Sequence, residues 1–214
     1  MRLINLSTGQ IAFLIIVPIV VVAALFCAIF FPVRKKKMRT EYKYSYYKKI
    51  YKEALYQDLY LINNFMFKID DTHYGKIDHI LFANKYIYII NDYYIEGDIE
   101  GKDTDQSLIY ISRNGKKKYM DNMLLDNMKL MNKLSLITGI NSSLMIGISL
   151  INKDCNCGVS LSSKYHYIVQ VNKFKMLLNA IESREIGDIN KEQLASAVQA
   201  IDKLNKKTRK NAKK

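Results

Sequence analysis

From Ile11 to Pro32 the chain reads IAFLIIVPIVVVAALFCAIFFP, 22 residues without a charge. An apolar run of this length can cross the hydrocarbon core of a bilayer as a helix. Pro18 lies inside it, and membrane helices accommodate a proline because neighbouring groups satisfy the carbonyl it frees. A cleaved signal peptide fits badly. Only Arg2 precedes the run as a positive residue, the run is too long, and no small-x-small site follows. The ALFC before Ala28 has bulky Phe26 directly ahead of Cys27, which argues against a lipoprotein box. An uncleaved anchor over residues 11–33 is therefore expected.

The flanks give its direction. Arg34, Lys35, Lys36, Lys37 and Arg39 follow the run at once, whereas only Arg2 precedes it. Positive residues stay on the cytoplasmic side, which implies a single-pass protein of the cell membrane. Residues 1–10 are expected outside and the rest of the chain in the cytoplasm. The five basic residues are expected at the membrane surface, where each gains about 1 kcal/mol from anionic lipid. Membrane lipid is thus the expected partner of residues 11–39. Cys27 falls in the run, and Cys155 and Cys157 are too few for a disulfide framework or a four-ligand zinc site.

A net charge of +13 invites a nucleic-acid reading until it is located. Residues 1–39 hold six basic residues and no acidic ones, and residues 202–214 hold seven basic and one acidic. The residues between carry a net charge of only +1. The charge balance is therefore no sign of a nucleic-acid groove on the folded region. Like-charge blocks such as 202–214 are usually disordered tails.

The remaining chain reads as mixed α and β. Residues 40–62 place Tyr47, Tyr51, Leu55, Tyr60 and Ile62 among polar neighbours at helical spacing. NNFMFKIDDTHYG reads as a short strand and turn, and KIDHILFANKYIYIIND as two strands joined at Ala83-Asn84-Lys85. Asn114-Gly115 predicts a hairpin with a type I′ turn. Leu124, Met128, Met131 and Leu134 share one face of a helix ending at Gly139. Two apolar strands follow, SLMIGISLIN and YHYIVQV, and then helices over 172–182 and 190–204 with Asp188 and Asn190 as candidate caps.

Within this order lie Ile77-Asp78-His79, then Tyr86–Ile90, then Gly97-Asp98-Ile99-Glu100-Gly101. Further on, Asn122 and Asn127 open the helix. This layout resembles the nuclease-related domain, NERD, of the restriction-endonuclease-like PD-(D/E)xK group. Members of that family show IDH at a strand start, then a strand of the type GVFVIETKN, then G-x-I-x-G and a helix opening N-P-x-x-Q-N. The resemblance implies an α/β fold, a restriction-endonuclease-like mixed sheet flanked by helices, preceded here by one transmembrane helix. Charge and composition add a basic juxtamembrane linker at 34–44, a helical segment at 183–201 and a basic tail at 202–214 around the NERD-like domain expected at 45–182.

In such nucleases two carboxylates hold a divalent cation, and a lysine stabilises charge developing on the scissile phosphate. Asp78 stands at the first carboxylate position and is the metal ligand if any metal binds. The family's glutamate falls on Asn91, its lysine on Tyr93 and the helix glutamine on Asp126. An upstream helix glutamate falls near Lys52 or Glu53, with the apolar register favouring Lys52. Asp92 is one residue from the glutamate position, so strand alternation aims it to the other face. Glu100-Gly101-Lys102 is a literal E-x-K, but nine residues beyond the expected place. His79, His73 and His166 lack convergent metal partners in the sequence.

The expected function is therefore a catalytically inactive NERD-like domain on a membrane anchor, serving as a binding or scaffolding module for nucleic acid near the membrane or for another protein, with no cofactor. The alternative is a membrane-tethered, Mg2+-dependent nuclease that pairs Asp78 with Asp126 or Asp92. A third reading makes the domain a spacer between the anchor and the basic tail.

Overall fold

A computed structural model of the chain describes residues 8–70 and 72–211. The chain divides into two compact units, residues 1–42 and 43–214.

The first unit is helical. Helix α1 runs Thr8–Tyr56 and carries Pro18 and Pro32 within it. It is the one helix among the described residues long and apolar enough to cross a membrane. Ile19, Val22, Phe26 and Ile29 are all exposed along it. The helix does not stop at the expected linker. Residues 34–44 are rich in Lys and Arg, which are good helix formers, and Lys37 pairs with Glu41 one turn on (3.8 Å).

Helix α1 ends where Asp58 takes a left-handed backbone (φ 54°) and Leu59 N–H donates to Ala54 O (2.8 Å). The chain then enters β1 (Tyr60–Lys68), so Tyr60 and Ile62, expected on a helix, lie in a strand. Ile62, Phe65 and Phe67 are buried there, and these long-range contacts override the local helical spacing.

The second unit holds two mixed sheets flanked by helices, where the sequence led us to expect one. In the first, β1, β2 (Tyr74–Phe82) and β3 (Ile87–Tyr93) are antiparallel, and β7 (Met145–Ile151) and β9 (His166–Gln170) continue it in parallel, in the order β1-β2-β3-β7-β9. The β2–β3 connection is the expected tight turn, closed by Ala83 N–H to Tyr86 O (3.0 Å).

The second sheet has the order β6-β5-β4-β8, from β4 (Gly97–Lys102), β5 (Ser107–Ser112), β6 (Lys117–Asp121) and β8 (Cys157–Ser160). Its hairpin turn is longer than type I′. Gly115 alone is left-handed (φ 78°), with Gly115 N–H and Ser112 N–H donating to Ser112 O and Lys116 O. This is a type I turn closed by a glycine bulge.

Helix α2 (Met123–Thr138) starts after Asn122 and stops before Gly139, as expected, and both residues cap it. The Asn122 side chain accepts from Leu124 N–H, and Gly139 adopts the left-handed C-cap. Its two ends serve different cores. Met131 and Leu134 pack with Phe65, Phe67, Ile77 and Ile89 of the first sheet. Met123 and Leu124 pack with Ile99 and Leu108 of the second. Helix α3 spans Phe174–Glu182, and α4 spans Lys191–Asn211 with Asn190 accepting from Glu192 N–H. Helix α4 extends well into the segment read as a basic tail. Ala197, Ile201, Asn205 and Thr208 recur on one buried face, and this packing keeps the segment ordered.

The glycines of G-x-I-x-G have a geometric role. A Cβ on Gly97 would lie 2.1 Å from the Ile111 carbonyl oxygen, and Gly101 has φ +138°. Gly97→Ala is expected to lower stability by about 1–3 kcal/mol or more, since the clash is with backbone. Gly187→Ala, where a Cβ meets open space, should be near neutral. Urea unfolding of the detergent-solubilised chain compares the two.

Candidate functional site

Backbone pairing between β2 and β3 runs from Phe82↔Ile87 to His79↔Ile90 and stops there. Beyond it, side chains take over the ladder. Asp78 N–H donates to Asn91 Oδ1 (3.1 Å), and Asp92 N–H donates to Asp78 Oδ2 (3.1 Å). Asp78 is thus fixed at the point where the two strands part. On its other flank, Asn64 of β1 is left-handed (φ 51°), and the β1–β2 ladder skips the Asn64–Asp78 pair.

Two ammonium groups meet the remaining carboxylate oxygen. Lys43 Nζ lies 3.0 Å and Lys76 Nζ 3.2 Å from Asp78 Oδ1. Burial by itself would raise the Asp78 pKa. The Asp92 N–H and the two lysines outweigh it and hold the carboxyl below its ordinary range. Asp78 is therefore an ionised, charge-compensated group.

Asn91 is equally committed. Its amide nitrogen donates to Asn127 Oδ1 (3.2 Å), and Asn127 Nδ2 donates to Ile89 O (3.1 Å). A chain of two amides thus ties α2 to β3. Asn127 is fully buried and repays its own desolvation by these bonds. Asn122 does the same for the β4–β5 turn, with Nδ2 donating to Asp105 O (2.7 Å) and Asp103 O (3.2 Å).

Beside Asp78, His79 and Asp92 form a buried pair. His79 Nε2 lies 3.0 Å from Asp92 Oδ2, and Nδ1 lies 2.6 Å from Asn63 Oδ1. The Tyr47 ring stacks on the imidazole at 6.3 Å. Burial pushes the Asp92 carboxyl upward more than the His79 contact pulls it down, and the Asp78 charge adds to the rise. Lys43, Tyr44, Tyr47, Asn63, Asn64, Asp78, His79 and Asp92 line one cavity of about 370 Å3.

The other residues singled out from the sequence do not converge on Asp78. The Tyr93 ring packs against the core of the second sheet, and its carbonyl accepts from Tyr46 OH (3.2 Å). Asp126 faces Lys129 (3.2 Å) on an exposed helix surface. Lys52 is exposed, whereas Glu53 pairs with Lys175 (3.5 Å). Glu100 belongs to the second sheet and lies near Lys117 (3.9 Å). His73 closes a turn on Asp70 (2.9 Å). His166 is half-buried beside Asp103, Ser162 and Ser163, and burial lowers its pKa. Burial likewise pushes the Cys155 thiol up to about 12, which leaves it unreactive at neutral pH.

These residues do not fit a magnesium site. Mg2+ needs several hard oxygen ligands in near-octahedral array. Here one Asp78 oxygen already accepts from two ammoniums and the other from a backbone N–H. The Asn91 oxygen is engaged, Asp92 Oδ2 is turned to His79, and the buried, unpartnered Asp92 Oδ1 is a single oxygen where several are needed. Among the described residues no group of three His, Cys, Asp or Glu side chains is placed to hold a metal.

Sequence reasoning missed Lys43 and Lys76. Lys76 was within reach, because residues i and i+2 of a strand share a face. Lys43 was not, since 35 residues separate it from Asp78.

Asp78→Asn is expected to destabilise the chain at neutral pH by about 1.5–3 kcal/mol, the scale for a hydrogen bond to a charged group. The pKa is lowered on folding, so this contribution is present above the ordinary carboxylate range and vanishes as pH falls through the folded value. Urea midpoints of both proteins across that range should converge in acid. In comparisons with protein-family models, curated proteins and solved structures, nothing matches the chain.

Proposed function

We propose that this is a single-pass membrane protein whose second unit is a cytoplasmic, NERD-like module that binds or scaffolds and does not hydrolyse phosphodiesters. One observation carries the reading: Asp78 has its charge met by Lys43 and Lys76, at 3.0 and 3.2 Å. A nuclease carboxylate must leave its oxygens open to a cation, and this one has two cations of its own chain against it.

The changed positions support the same reading. Asn91 brings no charge where the family has glutamate, and it is joined to Asn127 as part of the frame. Tyr93 brings no cation for phosphate and packs inward. Asp92 and Asp126, the relocated ligands that a working nuclease would need, are paired elsewhere with His79 and Lys129. The anchor is α1, and the cationic flank Arg34–Arg39 supports a cytoplasmic second unit.

Magnesium and manganese titration of the full chain in detergent should give no binding heat that depends on Asp78. DNA and RNA should remain intact with either metal. Metal binding and cleavage that both disappear in Asp78→Ala would overturn the proposal.

A further inference from the structure

The β5–β6 hairpin has an unusual surface. Arg113, Lys116, Lys117 and Lys118 follow one another around its tip, and all are exposed. Next to them Tyr119 is 83% exposed, the most exposed aromatic side chain of the second unit among the described residues. The strand register pairs Tyr119 with Ile109 and Lys117 with Ile111, so one sheet face carries Tyr119, Lys117 and two half-exposed isoleucines. The other face supplies Leu108 and Met120 to the core.

We propose that this hairpin is a second membrane contact, which docks the folded unit onto an anionic lipid surface. The cations would meet headgroup phosphates and carboxylates, with Tyr119 at headgroup level and Ile109 and Ile111 behind it. Aromatic rings with a polar tip favour that boundary, and lysines reach from it to charge. The proposal rests on the anchor reading given above, because a chain already held by a transmembrane helix meets lipid at high effective concentration.

Two features favour lipid over nucleic acid. The apolar residues beside the cations are aliphatic apart from one tyrosine, which suits an acyl boundary better than base stacking. The next strand presents Asp98 and Glu100 and β8 holds no basic residue, so no basic track crosses this sheet from the hairpin. Three carboxylates oppose the contact. Asp98 and Glu100 lie on the adjacent strand, opposite Ile111 and Ile109, with Glu100 3.9 Å from Lys117, and exposed Asp121 shares the face of Tyr119 at the end of β6 away from the tip. Four cations, Lys118 on the face of Tyr110 and the others at or beside the tip, outnumber them.

The chain contains no tryptophan, so Tyr119→Trp creates a single fluorescent reporter. The full-length variant is reconstituted into symmetric vesicles of phosphatidylcholine, with or without phosphatidylserine, containing acyl-brominated lipid as a contact quencher. Symmetric vesicles present the same lipid to the hairpin whichever way the protein inserts. Quenching should appear with phosphatidylserine and fade at high salt, where surface charge is screened. It should also fall to the phosphatidylcholine level in a Lys116→Glu, Lys117→Glu, Lys118→Glu background. Each basic residue contributes a factor of about five, so reversing three costs on the order of a hundredfold.

Flotation of the vesicles separates the two readings. Protein that does not float with lipid removes the anchor and the docking together. Protein that floats but shows no phosphatidylserine-dependent quenching removes the docking alone. An emission change caused instead by added single-stranded oligonucleotide, without lipid quenching, would also overturn the proposal and assign the hairpin to nucleic acid.

Discussion

The second unit depends on how β2 and β3 are held together after their backbone ladder ends. Two parting strands leave N–H groups that must find partners or lose hydrogen-bonding free energy in a buried place. Asp78 and Asn91 supply the missing acceptors, each taking an N–H from the opposite strand. The carboxylate that results would be a buried, uncompensated charge, and an isolated charge there is costly. Lys43 and Lys76 remove that cost. One arrangement therefore closes the sheet, satisfies the backbone and neutralises the charge, and it gives both carboxylate oxygens of Asp78 partners from the chain itself.

The same arrangement gives the residues of the resemblance a structural part. Asp78 and Asn91 stand where the resemblance implies a carboxylate pair, yet both act in the frame of this domain. Asn127 binds β3 to α2, and Asn122 joins the same helix to the β4–β5 turn. Gly97 clears the Ile111 carbonyl. Replacing any of them would disturb packing or leave a buried polar group unpaired. Packing and hydrogen bonding alone suffice to hold these residues in place.

Much of this was legible in the sequence, for local reasons. The apolar run, the Ala83–Lys85 turn and the ends of α2 are each signalled by adjacent residues. What was not legible depends on distant partners. Residues 60–62 have helical spacing but pair with 80–82 of β2. The segment beyond Ile201 reads as a charged tail, but every third or fourth residue is buried, and that sets a helix. The division into two sheets follows from β4 pairing in parallel with β8, 58 residues later from Ile99 to Cys157, which no local pattern announces. At the site, Asp92 pairs with His79 as strand neighbours, yet it lines the same cavity as Asp78, which alternation alone did not announce. The arrival of Lys43 from α1 could be seen only once the chain was folded.

The central claim is that lysine ammoniums hold the place at Asp78 that a divalent cation would take. Anomalous diffraction from crystals of the protein soaked in manganese tests it most directly, because the scattering locates the metal itself. The account predicts no anomalous peak within coordination distance of Asp78, with Lys43 and Lys76 still against its carboxylate. A peak bridging Asp78 and Asn91, with both lysines displaced, would contradict it.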